Sequence, residues 1–106
     1  MSNTVNPNQG NQLEIELTEQ EANGTYSNLV MISHSHSEFV LDFISVMPGI
    51  PKAKVIKRLV ITPDHAKRLV KALQDNVTRY EGSFGTINAH DRQDFPMQFR
   101  GPMPEA

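Results

Sequence analysis

A chain of 106 residues with 38% hydrophobic and 21% charged side chains is sized and composed for one small globular domain. Ten Lys and Arg against twelve Asp and Glu leave a net charge of −2, too little basic excess for a dedicated polyanion binder. The absence of cysteine excludes disulfides, thiolate nucleophiles and thiolate metal sites together.

Residues 1–11, MSNTVNPNQGN, hold one Val and no charge, so they bury too little apolar surface to offset the entropy of ordering and are expected to form a disordered tail. No basic stretch followed by an apolar segment opens the chain, and no apolar run nears the roughly 20 residues that cross a bilayer. A cytoplasmic protein without membrane contact is the expectation. The domain proper is expected over residues 12–82. Leu13-Glu14-Ile15-Glu16-Leu17 alternates strictly, the period of an edge strand with one wet face, and Asn23-Gly24 supplies the positive φ values of a hairpin turn after it. Tyr26 to Ser33 and Glu38 to Met47 read as two central strands, apolar in both phases and interrupted by Asp42. Pro48-Gly49-Ile50-Pro51 breaks the second of these. Ala53 to Thr62 is β-branched and basic, a fourth strand.

Thr62-Pro63-Asp64 starts a helix: a hydroxyl to cap free N–H groups, a proline at the first helical position and a carboxylate at the positive dipole end. Ala66, Leu69, Val70, Leu73, Val77 and Tyr80 come next at steps of three and four, one apolar stripe, and Gly82 is the expected stop. The whole is an α+β domain, a four-stranded antiparallel meander with one C-terminal helix packed on one face. Residues 83–106 return to Gly and Pro, a flexible tail in which Phe95, Met97 and Phe99 are candidate partner-binding anchors.

One helix covers one face of a sheet, yet the central strands are apolar on both. Val30, Ile32, Val40, Ile44 and Val46 therefore call for cover. A second copy of the chain is the expected source, since two-fold homodimers are the commonest oligomers. Fold-back of the tail through Phe95 and Phe99 is the competing cover. Asp42, a carboxylate among apolar neighbours, requires a structural ion pair, with Lys54 or Arg58 as partner.

The only cluster resembling reaction chemistry is His34-Ser35-His36-Ser37-Glu38. His34, His36 and Glu38 share a phase and could hold a metal if His65 or His90 joined them, since a zinc site takes at least three protein ligands. The alternative is a polar hairpin between two apolar strands, which is the expectation. No glycine-framed nucleophile, phosphate loop or dinucleotide fingerprint is present. Residues 1–51 have no Lys or Arg, whereas Lys52, Lys54, Lys57, Arg58, Lys67, Arg68 and Lys71 crowd into residues 52–71. That cluster suits phosphate contacts or pairing with acids of the same fold. Without interleaved aromatics it encodes no base stacking.

Tyr26-Ser27-Asn28, Ser33-His34-Ser35, Glu38-Phe39-Val40-Leu41-Asp42-Phe43, Pro48-Gly49, Ala53-Lys54-Val55, Thr62-Pro63-Asp64-His65-Ala66-Lys67-Arg68-Leu69, Ala72-Leu73-Gln74-Asp75-Asn76 and Tyr80-Glu81 together resemble the small prokaryotic family of domain of unknown function DUF3467, over residues 26–81. The resemblance implies no established activity. It implies an association with transcription, through genes of the family that lie beside those of the large RNA polymerase subunits. The expectation is a non-catalytic, homodimeric protein-binding module without cofactor, its partner the RNA polymerase. A nucleic-acid-binding module using Lys52–Lys71 is the first alternative, and a small metal-dependent hydrolase at the His34/His36 turn is the second.

Overall fold

The computed structural model describes residues 12–89; the tail of residues 1–11 and the anchors Phe95, Met97 and Phe99 lie outside them. In chain order the elements are a helical turn α1 (Glu19–Ala22), strands β1 (Leu29–His34), β2 (Phe39–Ser45) and β3 (Lys54–Ile61), and helix α2 (Pro63–Phe84). The strands form one antiparallel sheet in the order β1-β2-β3. The protein is thus α+β with an antiparallel sheet and a C-terminal helix, but with three strands in place of four.

The missing strand is Leu13–Leu17. Alternation offers a strand one apolar face, but a strand is held by its ladder, and this segment makes no backbone hydrogen bond to either sheet edge among the described residues. The chain after Leu17 does not form a hairpin. Thr18 caps a turn of helix, its hydroxyl accepting from the Glu21 N–H at 3.4 Å, and Gly24 takes φ 74° just past the helix end, where a left-handed residue closes the last turn. Thr18-Glu19-Gln20-Glu21 fits the S/T-x-x-E capping pattern, a local signal that outweighed the Asn-Gly one.

Register fixes the faces. Val30, Ile32 and His34 stand opposite Phe43, Leu41 and Phe39, while Leu29, Met31 and Ser33 stand opposite Ile44, Asp42 and Val40. Directly opposed residues project to the same side, so the first set forms one face and the second the other. The core is small and sits on β2: Val40, Leu41 and Ile44 are buried together with Asp42. Beyond the ladder Asn28 imitates a strand residue, its side-chain oxygen accepting from the Val46 N–H at 2.8 Å and its amide donating to the Val46 carbonyl at 2.9 Å. The Ser27 hydroxyl donates to the Ile44 carbonyl at 2.9 Å. Met47-Pro48-Gly49-Ile50 closes with the Ile50 N–H on the Met47 carbonyl and Gly49 at φ 79°, the proline and glycine positions of a type II turn. On β3, Phe43 faces Lys57 and Ile44 faces Val55, leaving Ile56 as the extra residue of a bulge.

Helix α2 starts as its sequence predicts, with the Thr62 hydroxyl accepting from the His65 N–H at 3.1 Å. It runs through Gly82 to Phe84 and ends at Gly85, whose φ of 99° is the conformation that requires glycine. Its 22 residues span about 33 Å. The helix does not cover a face of the sheet. No residue of α2 is buried, and the extensive contacts between elements are those of β1 with β2 and β2 with β3. Only Thr62 separates β3 from α2, shorter than the two to six residues that usually turn a helix back onto its sheet.

Candidate functional site

The His34-to-Glu38 stretch is a hairpin. Ser35 donates its N–H to the Glu38 carbonyl at 2.9 Å, and the Ser37 N–H is taken by the Ser35 hydroxyl at 3.2 Å. The His34 ring stacks on Phe39 with centroids 5.3 Å apart, a contact that fixes the ring at the strand end. Among the described residues no three His, Asp or Glu side chains are grouped to hold a metal. His36 is exposed in the turn, Glu38 is half-buried, His65 lies in the first turn of α2, and His90 lies outside the described residues.

Asp42 is paired with Arg58, directly across the ladder on β3. The Arg58 Nε donates to Oδ1 at 2.6 Å and Nη2 to Oδ2 at 2.8 Å, the two-pronged geometry that only a guanidinium offers a carboxylate. The hydrogen bonds that Arg58 donates to Asp42 hold the guanidinium pKa above its ordinary value, and attraction to the carboxylate adds to this against some desolvation. Lys54 stands opposite Ser45 instead. The arrangement is an anchor within the sheet, with Asp42 0% exposed; it offers no open carboxylate for catalysis.

The basic cluster is divided. Lys54, Lys57 and Arg58 lie on β3, Lys67, Arg68 and Lys71 on α2, and Lys52 on the loop before β3. Arg58, Arg68 and Lys71 are paired with Asp42, Asp64 and Asp75, so three of these seven charges are answered within the fold.

The five residues expected to need cover do not form one surface. Val40 and Ile44 are buried on the face shared with Asp42, and Val46 is half-buried beyond the end of β2. Val30 and Ile32 are exposed on the opposite face, joined there by Leu59 across from Leu41. Alternation separates the two phases of β1 and of β2, but which phase of one matches which phase of the other depends on register. Sequence reasoning missed an open apolar feature because it assigned the helix stripe to the core. Leu69, Leu73, Val77, Tyr80 and Phe84 run down one side of α2 with none buried, Leu73 being 60% and Phe84 76% exposed. The Tyr80 and Phe84 rings meet one turn apart with centroids at 5.0 Å. That this stripe has no extensive contact with the sheet among the described residues is visible only in three dimensions.

No helix among the described residues is long and apolar enough to cross a membrane. No curated protein and no solved structure matches the chain. A family model does, over residues 1–89, a wider span than the motifs of residues 26–81 and one that takes in the acidic segment before α1. By that match the chain belongs to the family described as protein of unknown function (DUF3467).

Proposed function

We propose that this protein acts by binding, as a homodimer in which the apolar side of α2 and the Val30/Ile32/Leu59 face of the sheet are covered by a second copy. One observation carries the reading: a 22-residue helix with a continuous apolar stripe and no buried residue. A helix in a protein owes most of its stability to packing of its apolar side, and each fully buried Leu or Val contributes about 1.5 to 3 kcal/mol. A two-fold pair answers both needs at once, because the same surfaces meet reciprocally. The exposed outer surfaces of the dimer then serve a protein partner, and the transcription machinery implied by the family resemblance is the first to test with purified RNA polymerase.

Sedimentation equilibrium at micromolar concentration checks the assembly. The full chain is expected to sediment as a dimer. Leu73→Glu weakens it by at least about thirtyfold, the equivalent of one central interface side chain at about 2 kcal/mol, whereas Arg79→Glu, off the stripe, does not. A wild-type monomer throughout that range rejects the reading.

A further inference from the structure

We propose that residues 13–17 of one copy add as a fourth strand along the open edge of β3 in the second copy. The second copy is that of the dimer above, so the inference rests on that reading. Among the described residues no strand neighbours the outer edge of β3, and the backbone of Lys54–Lys57 and of Leu59–Ile61 makes no hydrogen bond there beyond the β2 ladder. Such an edge is a template for an added strand. Every residue from Lys54 to Val60 is exposed, including Val55, Ile56, Leu59 and Val60, an apolar content that is hazardous on an edge left open to solvent.

The segment that fits is Leu13-Glu14-Ile15-Glu16-Leu17. It has strand alternation and a place within the family match. It stands clear of its own sheet, with Ile15 91% exposed. Charge selects β3 over β1. Glu14 and Glu16 would meet Lys54 and Lys57 on β3, both on the sheet face of Leu59 and Ile61, while β1 (Leu29–His34) has no Lys or Arg to receive them. Opposed charges across a ladder attract and like charges repel, so the acidic first half of the chain finds its match in the basic second half.

The test is charge reversal in the full chain, followed by sedimentation equilibrium and circular dichroism. Glu14→Lys/Glu16→Lys and Lys54→Glu/Lys57→Glu are each expected to dimerise about tenfold or more weakly than wild type, since like charges then face each other at both ends of the two-fold pair. An equimolar mixture of the two variants restores wild-type affinity, because each segment then meets a β3 of opposite sign on the other chain. Dimers of undiminished affinity in both variants overturn the strand addition and leave the dimer standing. Weakened variants that the mixture does not restore overturn it too, placing the contact within one chain. A monomeric wild type overturns both readings. Amide hydrogen exchange on the wild type serves if a variant fails to fold: residues 13–17 are protected where the dimer prevails and exchange freely on dilution, and free exchange at both concentrations rejects the proposal.

Discussion

Asp42 shows what a single residue commits a small sheet to. A carboxylate withdrawn from water is costly unless its charge and its lone pairs are answered, and here both are answered by one side chain, Arg58, through two hydrogen bonds. Removing either partner is therefore unequal. Arg58→Ala leaves a fully buried carboxylate unpaired, whereas Asp42→Ala leaves a guanidinium that still reaches solvent. We expect the urea midpoint to fall further for Arg58→Ala than for Asp42→Ala, and Arg58→Lys to recover only part of the loss, because an ammonium cannot fork onto both oxygens. Equal midpoints for the two alanine variants would contradict this account. With its folded pKa raised, the contribution of Arg58 is complete below the ordinary arginine range and is lost only as pH rises through the higher folded value. On its account stability stays flat through neutral and mildly alkaline pH. The need for a cation was legible in the sequence, since Asp42 interrupts an apolar strand. The choice between Lys54 and Arg58 was not, because it rests on a register that places Arg58 opposite Asp42 and, past the extra residue Ile56, Lys54 opposite Ser45.

At the scale of elements, local chemistry was readable wherever the partners lie within a few residues. Thr62-Pro63-Asp64 begins α2 as its cap, ring and charge dictate, and Thr62→Ala should lower unfolding stability by about 1 kcal/mol in thermal or chemical denaturation. A helix that melts unchanged without the hydroxyl would show that the cap is redundant. Leu13–Leu17 is the opposite case. Its period is that of a strand, but a period states only which side chains share a face and leaves the ladder partner open. The helix end tells the same story in miniature: Gly82 is the nearest glycine to the end of the stripe, and the helix stops instead at Gly85, where φ turns positive.

For the whole molecule the decisive quantity is how little a single copy buries. Four side chains on β2 make up the buried set among the described residues, while a long helix and β3 stand largely in solvent and β1 is exposed at every second residue. If a second copy completes the fold, stability must depend on concentration. Each tenfold increase should add about 1.4 kcal/mol per mole of dimer, visible as a rising melting temperature across a dilution series. A melting temperature independent of concentration would mean that one chain folds unaided. By itself the sequence determined the elements whose causes are local: the two apolar strands, the basic third one, the capped amphipathic helix, and the carboxylate that had to find a cation. Only the tertiary structure decided that the sheet has three strands, that Val30 and Ile32 lie opposite to Val40 and Ile44, and that the helix leaves the sheet uncovered. These depend on register and on a one-residue connection at Thr62, whose consequences appear only when separate segments are placed side by side.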